Sequence, residues 1–325
     1  MKPKPGKELL YLSQADVVAA GVTPAEINAR VEAAFRDEAA GTAWTEPKLM
    51  ISRPDGASFR AKAGAMASPG YGALKWFGYF PGNSAKGHPD FSPLILLNEG
   101  ETGLPVAVMD GVWISAVRTG SVTAVAARYM ARPGAETAGF VACGAQAYSN
   151  LDALMAEFPL HRVTAYSRTL ASAERFAEAA KAKGLEARAV ADPRAAVNGQ
   201  DIVVTSIPHT SAQARFLDAA DVSPGTFVSM VDLGFGWRKD TLTGFDRVVT
   251  DNIRQSGPGG AEKLNFDGTY AGDLADVVSG RLPGRMSGGE RIALIFAGTG
   301  HVDLAAAVAV YEAACAKGLG TMLPL

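Results

Sequence analysis

The sequence predicts an α/β protein organised around a doubly wound parallel sheet, and three observations carry that prediction. From Ala138 to about Val249, short apolar strands alternate with amphipathic helices, the pattern of right-handed crossovers onto a parallel sheet. The first of those strands closes in a turn, Gly139-Phe-Val-Ala-Cys-Gly-Ala-Gln-Ala147, that opens straight into a helix. Upstream, from Lys48 to Val108, the texture is different: short apolar runs broken by Gly and Pro, as in a mixed or antiparallel sheet.

Taken in order, Ser13 to Ala43 reads as helical. Ser13 or Thr23 can cap, Pro24 suits a first turn, and Ile27, Val31 and Phe35 recur at helical spacing. Lys48-Leu-Met-Ile-Ser, Leu74 to Asn83 and Pro93 to Leu97 read as strands, and Ser115 to Ala131 as a helix leading into the alternating block. There, strand Gly139–Ala142 precedes a helix through Leu151, Leu154 and Met155. Strand Arg162–Tyr166 precedes a helix from Ala171 to Lys183. Strands follow at Ala187–Val190, Asp201–Thr205, Thr226–Val231 and Arg247–Thr250. The end is a second glycine turn, Phe296-Ala-Gly-Thr-Gly-His301, and an Ala-rich helix from Asp303 to about Lys317. Met1–Gly6 and Gly257–Gly260 are the expected flexible pieces.

Composition narrows the function classes. The 325 residues hold 31 basic and 33 acidic side chains, so no basic face for non-specific nucleic-acid binding is expected. No apolar run reaches the roughly 20 residues of a membrane span, and Met1–Leu10 lacks the apolar core of a signal peptide. Cys143 and Cys315, like His88, His161, His209 and His301, are scattered without metal-ligand spacing. A reduced, cytoplasmic enzyme without metal is the expectation.

The turn at Ala142–Ala147 has the chemistry of a dinucleotide site. A pyrophosphate needs a turn free of side chains and the positive end of a helix. Gly144 supplies the close approach, Ala147 is small enough for the third position, and Ala142 stands where a first glycine usually makes the bend. At the end of the second strand, where an acid would bind the ribose of NAD, this chain has Ser167, Arg168 and Thr169. A cation and hydroxyls suit a 2′-phosphate, which favours NADP(H). If Arg168 only stacks on adenine, NAD(H) remains usable.

Met109-Asp-Gly111, Ser115-Ala-Val-Arg-Thr-Gly-Ser121, the Gly144-Ala-Gln-Ala147 turn, Lys75–Asn83, Leu-Pro-Gly at Leu282 and the closing Gly298-Thr-Gly…Asp303 together resemble the ornithine cyclodeaminase/mu-crystallin family. The resemblance covers nearly the whole chain. It implies a homodimer in which a Rossmann-type domain, residues 120–301, is inserted into a smaller α+β domain for substrate binding and dimerisation, residues 1–119 and 302–325. It also implies nicotinamide-dependent chemistry at the Cα–N bond of a small amino or imino acid.

Residue by residue, the resemblance implies that Lys75 and Arg118 hold the substrate carboxylate. A guanidinium at a helix start can do so with two hydrogen bonds, and Lys75, in a strand-like run among aromatics, would be costly to bury without a partner. Lys48 and Lys62 fall at further cationic positions of the family; read alone, each is equally a solvated surface charge. Asp232, after the apolar strand Thr226–Val231, matches the catalytic aspartate. As a bare residue it is also a turn aspartate before Gly234. The family continues Asp-x-Pro-Gly-Lys, whereas this chain reads Asp232-Leu-Gly-Phe-Gly236-Trp237, so the lysine is missing and two aromatics intrude. Cofactor contacts are implied for Arg118, Thr119, Gly144, Ala145, Gln146, Ser167, Arg168, Thr169, Thr205, Ser206, Ile207, Phe296, Gly298 and Thr299. Asp303 either caps the last helix or touches the cofactor, with capping favoured. Cys143 reads as a small buried filler, and His209 and His301 as ordinary hydrogen-bonding residues.

Three functions follow. The favoured one is an imino-acid (ketimine) reductase or amino-acid dehydrogenase. The alternatives are an ornithine cyclodeaminase, redox-neutral and releasing ammonia, and a non-catalytic mu-crystallin-like binding protein. The missing lysine at position 236 and the extra cations Lys48 and Lys62 tilt the reading to the reductase, whose only expected partners are its substrate and a second copy of the chain.

Overall fold

A computed structural model describes residues 2–208, 215–257 and 264–325; His209 and, of the Gly257–Gly260 segment, residues 258–260 lie outside them. The chain forms two units, Met1–Arg118 with Gly298–Leu325, and Thr119–Ala297. The chain therefore crosses between units at 118/119 and 297/298, where the sequence reading put the crossings at 119/120 and 301/302.

The first unit begins with β1 (Glu8–Leu12), α1 (Gln14–Ala19) and α2 (Pro24–Ala40). Instead of one helix from Ser13 to Ala43 there are two, because both candidate caps are used. Ser13 accepts from the Asp16 N–H and Thr23 from the Glu26 N–H, each in a reciprocal capping box. β2 (Ala43–Thr45), β3 (Leu49–Ser52), β4 (Ser58–Met66), β5 (Tyr71–Tyr79), β6 (Phe91–Glu99) and β7 (Pro105–Asp110) follow, and α3 (Val112–Met130) runs across the 118/119 division. In the second unit come β8 (Thr137–Val141), α4 (Ala145–Met155), β9 (Arg162–Tyr166), α5 (Leu170–Lys181), β10 (Glu186–Val190), α6 (Pro193–Val197), β11 (Ile202–Thr205), β12 (Phe227–Met230), β13 (Arg247–Val249), α7 (Ile253–Ser256), α8 (Leu274–Ser279) and β14 (Ile292–Ile295). The chain then returns to the first unit with α9 (Gly300–Lys317) and β15 (Thr321–Pro324).

In the first unit the strands order as β15-β1-β7-β6-β5-β4-β2, with β3 also on β4. Only β1 with β7 is parallel; the other pairs are antiparallel. The pleat divides β5 cleanly. Ala73, Lys75 and Phe77 are buried, while Leu74 and Trp76 stand out on the opposite face. α9 is rich in alanine and valine and almost wholly buried, as expected of a helix enclosed in a core. Its first turn is pressed onto β4. A Cβ added at Gly64 would stand 2.3 Å from the His301 nitrogen, and one at Gly300 would stand 2.0 Å from the Ala63 carbonyl oxygen.

In the second unit seven parallel strands order as β10-β9-β8-β11-β12-β14-β13. The central strands β8, β11, β12 and β14 are buried at every position, the signature of a sheet covered on both faces. Strand order reverses between β8 and β11, where ligands bind in open α/β sheets, beyond the carboxyl ends of the strands. Two hydrogen bonds tie those ends together: the Ser206 N–H donates to the Val141 carbonyl at 3.0 Å, and the Ser206 hydroxyl to the Ala142 carbonyl at 3.1 Å.

Gly139 of β8 lets α6 seat on this sheet, since a Cβ there would come 1.7 Å from the Ala196 carbonyl oxygen. Gly139→Ala should therefore destabilise the protein by roughly 1–3 kcal/mol, the ordinary cost of overpacking. Urea unfolding checks it; an unchanged midpoint would show that strand and helix are not apposed in this way.

Candidate active site

The first unit gathers four of the predicted cationic residues out of water. Lys48, Lys62, Lys75 and Arg118 are 6%, 5%, 2% and 7% exposed. None is a solvated surface charge. What the sequence reading missed is the acid among them. Asp303 does not cap α9, whose N-cap position is Thr299. One turn further on, at 1% exposure, it accepts a hydrogen bond from Lys75 Nζ at 2.6 Å through Oδ1, and Arg118 Nε lies 2.8 Å from the same oxygen. Lys75 also donates to the Ser115 hydroxyl at 3.3 Å and sits 5.7 Å from the centre of the Phe77 ring.

The charge states follow from these neighbours. Burial would raise the Asp303 carboxyl, but Arg118, Lys75 and Lys62 outweigh it and hold it down at about 2. Burial pushes Lys75 down to about 8 against the opposing field of Asp303. Lys62 is driven well below the usual lysine range by burial, then by Arg118, Lys75 and Lys48.

Beside this cluster, Gly298 takes a left-handed φ of 79°, and a Cβ built there would stand 2.2 Å from Arg118 Nη1 and 2.9 Å from Lys62 Nζ. Thr299 keeps its hydroxyl oxygen buried with no hydrogen-bond partner among the described residues.

The second unit holds the predicted dinucleotide turn. Ala142 adopts φ 74°, the conformation a first glycine would take. It is held there by its N–H donating to the Tyr166 carbonyl at 2.9 Å and by the Ser206 hydroxyl on its own carbonyl. Gly144 is the N-cap of α4, offers no side chain to the first turn, and has open space where a Cβ would stand. At the same turn the Oε1 of Gln146 is buried without a hydrogen bond among the described residues. Ala145 begins the helix and Ala147 is fully buried beneath it. A turn with bare N–H groups, an open cradle and an orphaned acceptor fits a dinucleotide pyrophosphate. Cys143 donates its thiol to the Tyr166 carbonyl at 3.3 Å, and burial lifts its pKa to about 12, so it is an inert filler. Beyond β9, Ser167 is half-buried and Arg168 exposed, and the Thr169 hydroxyl is bonded to that of Ser172 at 2.8 Å.

Asp232 lies at the carboxyl end of β12, 5% exposed. Its Oδ1 accepts from the Thr205 hydroxyl at 3.0 Å and the Gly234 N–H at 3.2 Å, and its Oδ2 from the Ile207 N–H at 3.4 Å. It thus makes the turn expected of an aspartate before Gly234 and is also a buried titratable group. Burial raises it to about 6 despite those donors. Of the two aromatics that interrupt the family motif, Trp237 is fully buried, stacks edge-on with Phe245 and donates its indole N–H to the Thr205 hydroxyl. Gly236 packs against two side-chain tips: a Cβ there would be 2.4 Å from Ile207 Cδ1 and 2.9 Å from Asp232 Oδ2. Phe296 is buried just past β14, and Thr119 is buried where the second unit begins. His301 is fully buried edge-on to Phe35 with Nε2 3.3 Å from Glu38, and burial lowers its pKa to about 4.

The model of the ornithine cyclodeaminase/mu-crystallin family matches residues 8–318. An alanine dehydrogenase of Archaeoglobus fulgidus is 30% identical, over 97% of this chain and 98% of its own. Among solved structures, an archaeal alanine dehydrogenase dimer with bound NAD superposes with a TM-score of 0.86 at 29% identity, covering 97% of this chain and 99% of that one. The Δ1-pyrroline-2-carboxylate reductase of Thermococcus litoralis, in complex with NADH and L-proline, gives 0.87 at 26% identity, covering 96% and 99%. A family match from residue 8 to residue 318, with relatives aligned almost end to end, makes this chain a member of the ornithine cyclodeaminase/mu-crystallin family.

Proposed function

We propose that this protein is an NAD(P)-dependent oxidoreductase acting at the Cα–N bond of a small amino or imino acid, as an imine reductase or amino-acid dehydrogenase. The observation that carries the reading is the buried Lys75–Asp303–Arg118 group, in a chain that also builds a dinucleotide turn. Lys75 and Arg118 offer charge-assisted donors to a substrate carboxylate, while Asp303 orients both and favours the charged ammonium of Lys75. When bound, the nicotinamide supplies or accepts the hydride. Gly144, Ala145 and Gln146 are suited to the pyrophosphate, with Thr205, Ser206, Ile207, Phe296, Gly298 and Thr299 completing the cofactor's surroundings. Arg168, exposed beside Ser167 and Thr169, favours NADP(H), with NAD(H) also used.

In the oxidative direction an α-ammonium must lose a proton as its carbon loses hydride. Asp232, ionised above about pH 6, is the group proposed to take that proton. Return of the proton accompanies imine reduction.

The residues 1–118 and 298–325 serve substrate binding and dimerisation in this reading, and the residues 119–297 the dinucleotide. The face of the first unit's sheet opposite Lys62 and Lys75 supports the homodimer. By strand register Leu94, Trp76, Ala61 and Leu49 form one row across it, and Leu94, Trp76 and Leu49 are 51%, 41% and 58% exposed. An apolar row of that kind on a soluble protein marks an interface, and a second copy is its proposed occupant. No helix among the described residues is long and apolar enough to cross a membrane, and two buried thiols, Cys143 and Cys315, suit a reducing cytoplasm.

The primary test mixes the purified protein with NADPH or NADH and a panel of cyclic and acyclic imino acids, with L-ornithine plus NAD(P)+ assayed for ammonia. Net oxidation of the reduced cofactor supports the reading; ammonia from ornithine without net cofactor change would make it a cyclodeaminase, and binding without turnover a mu-crystallin-like carrier. Asp232→Asn should lower kcat by about 100-fold or more, the usual worth of a general base, while cofactor affinity measured by NAD(P)H fluorescence persists. Near-normal kcat would leave Asp232 only its turn. The pH profile of kcat/KM should fall above about 8 as Lys75 loses its proton. Because the field of Asp303 raises Lys75, Asp303→Asn should move that alkaline limb to lower pH; a limb that stays in place would separate Asp303 from the protonation of Lys75. Finally, Trp76→Glu combined with Leu94→Glu should convert a dimer to a monomer in light scattering, and a double variant of unchanged mass would exclude that face.

A further inference from the structure

At the carboxyl ends of β11 and β12, three side chains form a line whose direction is fixed by their chemistry. The indole N–H of Trp237 lies 3.2 Å from the Thr205 hydroxyl, which lies 3.0 Å from Asp232 Oδ1. An indole can only donate and an ionised carboxylate can only accept. The hydroxyl between them therefore receives the indole proton and gives its own single proton to Oδ1. Thr205 and Trp237 are fully buried, which keeps bulk water from turning that hydroxyl. The two carboxylate oxygens are consequently unequal. Oδ1 takes the Thr205 hydroxyl and the Gly234 N–H at 3.2 Å, whereas among the described residues Oδ2 takes one donor, the Ile207 N–H, at 3.4 Å. A proton on Oδ1 would face two donors, and a proton on Oδ2 gives up only the longest bond.

The loop that carries Trp237 is pinned at several points. Leu233 and Gly234 turn the chain with left-handed φ angles of 59° and 79°. The buried Asn265 side chain donates to the Gly234 and Trp237 carbonyls at 2.8 and 2.9 Å, and its N–H to the Leu233 carbonyl at 3.0 Å. Folded back in this way, the loop brings the Trp237 ring to the same hydroxyl that Asp232 uses. Asp232 is the only ionisable side chain from Phe227 to Trp237, and Ile202–Ile207 has none. After burial, the hydrogen bonds from Thr205, Ile207 and Gly234 act on its carboxyl most strongly, ahead of any charge.

We propose that Trp237, acting through Thr205, is a positioning residue that commits Asp232 Oδ1 to accepting and so makes Oδ2 the oxygen that exchanges the substrate's proton. The inference rests on the oxidoreductase reading above, in which Asp232 is the base. In the oxidative direction the α-ammonium gives one proton to Oδ2 and its carbon passes hydride to the nicotinamide, leaving an iminium and a neutral carboxyl.

Two measurements test it. The first is NMR of the 15N-labelled protein without cofactor or substrate. Of the four tryptophans, Trp44 and Trp76 are exposed and Trp113 is half-buried, so Trp44→Phe, Trp76→Phe and Trp113→Phe identify the Trp237 indole signal by subtraction. That signal should shift with a midpoint near pH 6, and Asp232→Asn should abolish the shift. A Trp237 signal that ignores Asp232 overturns the proposal, even if the variants that follow do not fold. The second is the pH profile of kcat/KM for amino-acid oxidation, whose acidic limb requires Asp232 ionised. A donor to the charged form lowers a carboxyl pKa, so Thr205→Val should move that limb up by about one pH unit or more, the worth of a hydrogen bond to a charged group. Thr205→Ser should restore it. Trp237→Phe should move the limb the same way by about half a unit, a roughly threefold change in proton affinity, with the amino acid's KM held within about threefold. An acidic limb left in place by either Thr205→Val or Trp237→Phe overturns the proposal. Near-normal kcat in Asp232→Asn, with the wild-type indole signal still following Asp232, would instead overturn the reading of Asp232 as the base while the hydrogen-bond chain stands.

Discussion

An aspartate at 1% exposure that remains ionised imposes conditions on everything around it. Asp303 must have cations within hydrogen-bond distance, because an unpaired buried charge costs several kcal/mol and removing one partner of a buried pair costs about 3–5 kcal/mol. Lys75 and Arg118 meet that demand only because α9 reaches β4 almost backbone to backbone, at Gly64 and Gly300. The glycine pair sets the height of the helix over the sheet. That height sets the reach of Asp303 to Lys75 on the next strand, and the ion group sets the orientation of Arg118. The chain of dependence runs from two absent side chains to the direction of a guanidinium.

The parts of the fold are unequally readable in the sequence. Strands buried on both faces appear as continuous apolar runs, and β8, β11 and β12 are plain in the sequence for that reason, although the equally apolar and buried β14 is not among the strands read there. β4 is not, because its inward positions include Arg60, Lys62 and Gly64 instead of aliphatic residues. A strand that carries a polar site loses the alternation that would announce it. β1 and β15 are short segments whose pairing joins residues near opposite ends of the chain, and no local pattern reports that. Among the site residues, Lys75 could be read as buried and in need of a partner. The partner itself, 228 residues away, could not, and the cap expected of Asp303 is not made, because Thr299 holds the N-cap position and Asp303 lies a turn inside the helix.

The dinucleotide turn was legible for a different reason, since its chemistry requires particular small residues in sequence. Its departure at Ala142 is also explained locally. A left-handed φ costs a non-glycine residue about 1–2 kcal/mol, and the hydrogen bonds from Ala142 to Tyr166 and from Ser206 to Ala142 hold it there. A residue that breaks the glycine rule keeps the glycine conformation because its neighbours hold both ends of it.

Asp232 and Asp303 make a controlled comparison within one molecule. Both are aspartates, both are buried, and burial raises both. Around Asp303 three cations reverse the effect and pin the group at about 2, so it stays an anion at every pH the protein meets and can only orient and bind. Around Asp232 the opposing contributions are hydrogen bonds from Thr205, Ile207 and Gly234, which are weaker than charges, and the group rests at about 6. At position 236 the chain has a glycine, packed against the side-chain tips of Ile207 and Asp232. Burial, opposed only by those hydrogen bonds, is what leaves Asp232 at about 6, a range in which a carboxyl can both take and return a proton.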